Sequence, residues 1–537
     1  MGAGAARNPI ASNCRHGRAI MASRAFTPQR LARAGSAPAT LPAAVVIALF
    51  VLLARGGAFL TEHIDSDEWS YILMGADVAK GHLPFVHQFD LKPPVVFLLF
   101  GAVIATFGKS LLAIRLIGAL AVFTAAFFTF LIARRATGAW PALAAALMSV
   151  ALCSGTLGLD TSSELPAIAF MMPATWLLVR RETVTLADAA LCGLLVSLAV
   201  LTRTNLAVVA LAFGLLLLAL AVMRPARCAR HAWLAYGLAG LVPLAMLTLV
   251  YALAGELATF RLAMIDVPLA YSGQLSALDV LRLHAAQYYY TAQLAPLIYV
   301  PTTLLALAGM GASLPLLVRH RRDPDKAWFA LVQWTGMVAV LASLLIGGAA
   351  YPHYWLQVMP FLAIFAALAF PAASRLGRLA PSAVVGAAAL AASPVIAVLV
   401  TGTAQTVKLA ANPDSADHSI HDAAQWIRAR GGTGSPVWAL HMHLALFYLD
   451  TPPLSRAGVY PSNLSRKAII DTLADHDYVG HDEIGRIMAS TPRFIVTDSM
   501  GRGRAWVRDA GRDIDGWLGA RYRLVRRMGQ VEIYERI

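Results

Sequence analysis

Charge is what this chain has least of. Only 14% of its 537 residues are Asp, Glu, Lys or Arg, against about a quarter in an ordinary soluble domain. Hydrophobic residues make up 58% and the mean hydropathy is +0.63. That balance excludes a wholly water-soluble chain, because much of such a surface needs lipid as its solvent. Backbone in lipid must close its own hydrogen bonds, so the spans are expected to be helices. Acidic residues are scarcer than basic ones, 30 against 44, for a formal net charge of +14. No basic–aromatic module accompanies the excess, which argues against nucleic acid as a partner. The arginines fall in a tail, in short loops and in the C-terminal segment, as expected for cytoplasmic loops and contact with anionic lipid. Cysteine is nearly absent. Cys14, Cys153, Cys192 and Cys228 are the only four, so the C-terminal segment holds no disulfide framework and no zinc spacing.

Residues 1–40 lack any acidic residue and carry six arginines. They read as a basic, disordered cytoplasmic tail, with Met21 as an alternative start, rather than as a targeting peptide. No short apolar core with a small-residue cleavage site precedes the first long run, so no cleaved signal peptide is expected. No internal repeat is evident.

Apolar runs lie near 41–60, 94–107, 111–133, 139–155, 165–179, 187–201, 206–222, 232–254, 295–318, 327–347, 352–370 and 379–402. A crossing helix needs about 20 residues, and 11 to 13 crossings are expected. Basic clusters at Arg134–Arg135, Arg180–Arg181, Arg224–Arg230, Arg319–Lys326 and Arg375–Arg378 recur after every second run, which places them in the cytoplasm. Loops 156–163, 255–294 and 347–353 are then outside, as is 403–537. One conflict remains. The basic tail puts loop 61–93 outside, whereas counting back from Arg134 puts it inside if both 94–107 and 111–133 cross. The run 94–107 is the suspect, since its residues at 1.5 Å each reach only about 21 Å.

The expected architecture is an all-α polytopic membrane protein with a small C-terminal α/β extracytoplasmic domain. The tail is 1–40, the transmembrane module 41–402 with acidic outer loop 61–93, and the soluble domain 403–537. In that domain 418–430 reads as an amphipathic helix stopped by Gly431–Gly432. Pro436–Leu440, Arg493–Thr497, Arg521–Arg526 and Val531–Tyr534 read as strands, the last two joined by a turn at Arg527–Gln530.

The chemistry concentrates in loop 61–93. It holds Glu62, Asp65, Asp67, Glu68, Asp77 and Asp90, with Trp69, Tyr71, Phe85 and Phe89 to rest it on the membrane surface. Most acidic loops are simply solvated. Here, however, Asp65, Asp67 and Glu68 crowd the end of the first span, where repulsion and desolvation cost energy, and such clusters bind cations or move protons. Lys92-Pro93-Pro94 opens the next run. Pro is tolerated in a first helical turn, and a lysine beside a helix N-terminus at headgroup depth favours a phosphate, although a snorkelling lysine would look the same.

The ordered series Asp67-Glu68, Tyr71, Gly81, Pro84, Asp90, Lys92-Pro93-Pro94, Phe107-Gly108 and Arg115-Leu116 resembles the amino-terminal signature of the glycosyltransferase C superfamily. The nearest branch holds protein O-mannosyltransferases, lipid A aminoarabinose transferases and galacturonic acid transferases. The resemblance implies a helical membrane bundle whose first outer loop packs over a cavity. It implies a polyprenyl- or dolichyl-phosphate sugar donor and inversion at the anomeric carbon. It places Asp67 at the active centre with Glu68 beside it, and Lys92 on the donor phosphate. One departure matters: the aminoarabinose branch often has a metal-ligating Glu immediately before Lys-Pro-Pro, where this chain has Leu91. Metal dependence and the aminoarabinose activity are therefore left open, and no other cofactor is implied. Tyr351-Pro352-His353-Tyr354-Trp355 resembles the late segment that lines the family's donor site, although Tyr and Trp also form interface belts. Arg203, in Leu201-Thr202-Arg203-Thr204-Asn205, interrupts two apolar runs, and an intramembrane arginine is functional by default.

The functional expectation is a transferase in a cell inner membrane, N-terminus cytoplasmic, moving sugar from a polyprenyl-phosphate donor to an envelope lipid, glycan or protein. Asp67 would act as base, with Glu68 or Asp65 orienting the acceptor. Asp90, Lys92, Arg203, Tyr351, His353 and Tyr354 would bind substrate. Asp160, Glu164, His284 and Tyr288–Tyr290 are weaker candidates for the acceptor side. A flippase for a lipid-linked saccharide would explain the spans and the arginine, but not the acidic loop joined to Lys-Pro-Pro. A non-catalytic anchor for the C-terminal domain would tolerate loss of Asp67.

Overall fold

The computed structural model describes residues 37–62, 64–155, 158–224, 226–272, 275–318, 324–346, 349–376, 381–412, 416–432 and 434–537. The basic tail to residue 36, most of the 319–326 cluster, part of loop 347–353 and the end of the 375–378 cluster lie outside the described residues.

The chain is a multi-pass membrane protein. Seven described helices are long and apolar enough to cross a bilayer, and five shorter apolar helices accompany them. In chain order the apolar helices are α1 (Ala37–Arg55), then, after α2 (Ser66–Ala79), α3 (Pro94–Phe107), α4 (Leu111–Thr137), α5 (Ala139–Ser154), α6 (Glu164–Val179), α7 (Leu186–Val200), α8 (Ala207–Met223) and α9 (Ala232–Leu253). Short helices α10 (Leu257–Arg261) and α11 (Val267–Ser272) and the longer α12 (Ala277–Leu294) follow. The set closes with α13 (Pro296–Val318), α14 (Pro324–Leu344), α15 (Met359–Leu376) and α16 (Ser382–Ala411). Small residues let these spans approach closely, as expected where lipid supplies no hydrophobic drive. A Cβ at Gly193 of α7 would stand 2.0 Å from the Tyr236 carbonyl oxygen of α9, and one at Gly309 of α13 only 1.8 Å from that of Phe365 in α15. Lipid-facing leucines such as Leu211, Leu241 and Leu307 stay exposed.

Two cores divide the molecule. One is formed by α1, the long stretch of α4 and the spans α5 to α8 and α13 to α16. The other joins α2, α3 and the C-terminal segment, with Phe85, Phe97 and Phe100 in one cluster with Ile420, Phe447 and Ile495. Helix α3 therefore packs with α2 and the C-terminal segment rather than in the core of the long spans. The basic loops also meet at one end of the bundle: Arg180 donates to Asp188, Arg227 pairs with Asp325, and Trp328 donates to the Leu178 carbonyl.

Helix α16 runs on to Ala411, past the boundary expected at 403. Beyond it lies an α/β domain with a four-stranded sheet in the order β1 (Val437–Ala439), β2 (Phe494–Asp498), β4 (Val531–Arg536), β3 (Tyr522–Met528). Strands β1 and β2 are parallel, and β2–β4 and β3–β4 antiparallel. Gly529, at φ +51°, turns the terminal hairpin, a conformation glycine adopts without a Cβ penalty. The helix Ser419–Ala429 fills the amphipathic segment.

Candidate functional site

The start of α2 sets the first part of the site. Asp65 caps the helix, its Oδ1 accepting the Asp67 N–H at 2.8 Å, the usual way an N-terminal amide is satisfied. Asp67 and Glu68 then point different ways. Asp67 faces a cavity of about 630 Å³. Glu68 turns inward, fully buried, to pair with Arg115 at 3.0 Å and to accept the Thr161 N–H at 2.8 Å. Arg115 also holds the carbonyls of Ala58 and Thr61 and, at 3.0 Å, that of Glu62. Glu68 thus does not line the cavity, which corrects its expected place beside an acceptor. Its carboxylate locks the loop to α4 and to the segment before α6.

The turn before α3 supplies the second part. Asp90 Oδ1 accepts the Lys92 N–H at 3.0 Å, Pro93 is the N-cap and Pro94 the first helical residue. This geometry turns the Lys92 side chain back over α2. Its Nζ lies 3.7 Å from Asp67 Oδ2 and 6.0 Å from the Tyr71 ring centroid, while the Tyr71 hydroxyl donates to Asp67 Oδ2 at 3.4 Å.

The bundle closes the far side. Arg203, in the corner between α7 and α8, pairs with Glu164 at 2.7 Å, donates to Ser163 Oγ at 3.2 Å and lies 4.4 Å above the Tyr354 ring. His353 Nε2 stands between two carboxylates, 3.9 Å from Asp67 and 3.7 Å from Glu164. Tyr351 stacks on His353, the planes 4° apart. Asp65, Asp67, Asp90, Lys92, Arg203, Tyr351, His353 and Tyr354 all line the one cavity.

The C-terminal domain contributes a wall that the sequence did not reveal. Tyr460, Asn463 and Arg466 line the same cavity. The Arg466 guanidinium donates to the Tyr351 hydroxyl at 3.1 Å and lies 5.3 Å from the Tyr271 ring centroid. Among the described residues no carboxylate stands within ion-pair distance of it. Asn463 is 1% exposed, and neither polar atom of its side chain has a hydrogen-bond partner among the described residues. Nothing in the sequence marks these residues, because they lie far down the chain in a segment where arginine is common. Of the weaker candidates, Glu164 is drawn in through Arg203 and His353. Asp160 is buried but off the cavity wall, and His284 bonds the Leu344 carbonyl at 3.1 Å.

Charge is unevenly held. Burial alone would push the Asp67 carboxyl up, but Lys92, His353 and Arg203 with the Tyr460 hydroxyl hold it below the usual carboxylate range. Burial and the neighbouring Asp67 push Asp65 up to about 6. Asp90 is raised by burial against the pull of Lys92. Burial would lower the Lys92 ammonium, yet Asp67, Tyr354 and Asp90 outweigh it and raise it. The cavity therefore sets an ionised carboxylate against a fixed ammonium, with two guanidiniums facing them.

The protein family described as dolichyl-phosphate-mannose-protein mannosyltransferase matches residues 91–251, less than a third of the chain. No curated protein matches it in sequence. Among solved structures, ArnT from Cupriavidus metallidurans bound to undecaprenyl phosphate is similar at a TM-score of 0.60 and 15% identity, over 94% of this chain and 99% of that one. The archaeal oligosaccharyltransferase AglB from Archaeoglobus fulgidus, in complex with an inhibitory peptide and a dolichol-phosphate, is similar at 0.53 and 13%, over 93% and 74%. The chain thus shares its overall fold with membrane glycosyltransferases of the C type, and residues 91–251 match one of their family models.

Proposed function

We propose that the chain is an inverting glycosyltransferase that moves a sugar from a polyprenyl-phosphate donor to a cell-envelope acceptor at the outer face of a cell inner membrane, its N-terminus cytoplasmic. The observation that carries this reading is the Asp67–Lys92 pair, 3.7 Å apart, in a cavity that also holds Arg203 and Arg466. Fold neighbours seen with undecaprenyl phosphate and dolichol-phosphate support a lipid-phosphate ligand.

In this reading the acceptor hydroxyl attacks the anomeric carbon while the bond to the phosphate oxygen breaks. The phosphate leaves with the bonding pair, and Asp67 takes the hydroxyl proton as general base. Lys92 and Arg203 offset the charge that grows on the phosphate, where preorganised cations count most. A phosphate on Lys92 also draws that cation away from Asp67, which makes the carboxylate a stronger base once the donor is bound. His353 orients Asp67 from the Glu164 side. Asp65, Asp90, Tyr351 and Tyr354 offer hydrogen bonds to sugar or phosphate, and Arg466 with Asn463 faces the bound substrates from the C-terminal domain. Leu91 offers no donor atom at the metal-ligand position of the aminoarabinose branch, so no step is routed through a metal.

The test is transfer itself. Purified protein is incubated with a panel of radiolabelled polyprenyl-phosphate sugars and native envelope membranes, wild type beside Asp67→Asn. Label passing to a new product with wild type alone supports the transferase and names its donor. Folded wild type that transfers from none of the donors sinks the reading.

A further inference from the structure

The end of α2 and the loop after it gather a group that the transfer chemistry does not use. Asp77, His82 and His87 line a separate, solvent-open cavity of about 540 Å³, and none of them touches the Asp67 cavity. His82 Nδ1 is 2.8 Å from Asp77 Oδ1 and His87 Nδ1 is 3.5 Å from Asp77 Oδ2, so each histidine has taken one oxygen of the carboxylate. The two imidazole centroids are 4.1 Å apart at 89°. Among the described residues this is the one group of three His, Cys, Asp or Glu side chains whose ligand atoms all lie within 4.8 Å of one another.

The backbone is shaped to bring them together. Gly81, at φ +94°, turns the chain directly after α2, which folds His82 back over Asp77. Phe85 holds a left-handed φ of 70°, uncommon for a bulky residue. Tyr478 bonds its carbonyl, and the return of the chain presents His87 to the other carboxylate oxygen.

We propose that Asp77, His82 and His87 form a binding site for a divalent transition metal, Zn²⁺ by ligand type, on the loop that carries Lys92. Two imidazole nitrogens and one carboxylate are a ligand set that Zn²⁺ takes with a water in the fourth position. At bond lengths of about 2.0–2.1 Å, neighbouring ligand atoms of a tetrahedral site are about 3.4 Å apart. The two contacts to Asp77, at 2.8 Å to Oδ1 and 3.5 Å to Oδ2, and the 4.8 Å limit on all three ligand atoms lie around that spacing, so side-chain rotation brings the three onto one ion. The side chains of His82 and His87 are 40% and 49% exposed, which leaves a path for the ion and room for water on its open position. The ion pins the segment that runs on to Asp90 and Lys92. That segment already leans on the C-terminal domain, where the Phe89 N–H donates to the Arg456 carbonyl at 2.7 Å.

The experiment uses full-length protein in detergent, purified on a tag without histidine, stripped with chelator and titrated with Zn²⁺ by calorimetry. Bound metal is counted by mass spectrometry, and Tm is read with and without the ion. The wild type should bind about one Zn²⁺ per chain and melt higher with it, as binding to the native state requires. The double variant His82→Ala/His87→Ala should lose more affinity than the roughly 10–100-fold that loss of an outer partner costs, and its Tm should no longer respond. If that variant does not fold, His82→Gln and Asp77→Asn are read in the same way. Bound Co²⁺ should give the intense visible absorption of a four-coordinate site in the wild type only. Equal Zn²⁺ affinity in the wild type and folded variants, or no binding by the wild type, would overturn the proposal and leave one His82–Asp77 hydrogen bond with His87 in contact beside it.

Discussion

Glu68 and Arg115 form an ion pair 3.0 Å apart with side chains 0% and 1% exposed, and this pair separates the two acids of the Asp67-Glu68 step. One carboxylate is spent inside the protein, and the other is left facing the cavity. Breaking a buried pair by removing one partner costs about 3–5 kcal/mol, because the other charge is left uncompensated. Glu68→Gln should therefore lower the Tm in detergent by several degrees. Residual folded protein should still transfer sugar. A variant with wild-type Tm and no activity would return Glu68 to the chemistry.

Asp67→Asn should behave in the opposite way. Loss of a general base costs about 10²–10⁴ in rate, while the Asn still fits beside Tyr71 and Lys92. Single-turnover transfer should fall by that factor at unchanged Tm, with donor binding retained. Full activity would move the base to another carboxylate, Asp65 first.

Asp65 carries a pH signature. Its native value of about 6 stands above the ordinary 3.8, so the folded state binds that proton more tightly than the unfolded one. Stability linked to Asp65 is therefore present at acid pH, fades as pH rises from about 4 to about 6, and is gone above that. Asn is as good an N-cap as Asp. Asp65→Asn should accordingly gain in Tm over the wild type at pH 7.5, with the gain shrinking towards pH 4. A pH-independent difference would show that Asp65 is not the titrating group.

Arg466 should matter for substrate affinity. Arg466→Ala removes a guanidinium that has no carboxylate partner among the described residues. We expect KM for donor or acceptor to rise about tenfold or more, the loss of one hydrogen bond to a charged group being about 1.5–3 kcal/mol. Arg466→Lys should recover part of it. Unchanged KM for both substrates would leave Arg466 a purely structural link between Tyr351 and Tyr460.

The C-terminal segment should prove inseparable from the membrane module. Phe85, Phe97 and Phe100 share one core with Ile420, Phe447 and Ile495. A chain stopped after Asn412 would expose that core, so it should be lost to degradation or aggregation on expression, as read by fluorescence-detected size exclusion. A monodisperse truncated chain would show the two parts to be independent.

The sequence by itself determined what depends on local composition. Lipid selects long apolar runs, so the spans could be read directly. The short strand-like runs bounded by turns and the stopped helix Ser419–Ala429 were readable from local composition too. The order from Asp67 to Lys92-Pro93-Pro94 marked residues that line one cavity, because they lie close in the chain. Only the tertiary structure decided the rest. Helix α3 reads as apolar as a span, yet it packs against α2 and the C-terminal domain, because a protein core accepts the same side chains as lipid does. Glu68 reads like Asp67, yet adjacent positions on a helix point about 100° apart, and Arg115 waited on one side alone. Tyr460, Asn463 and Arg466 carry no local mark at all. They reach the cavity because the C-terminal domain packs against the segment that follows the first long helix, and that contact depends on the packing of two distant surfaces rather than on any stretch of sequence.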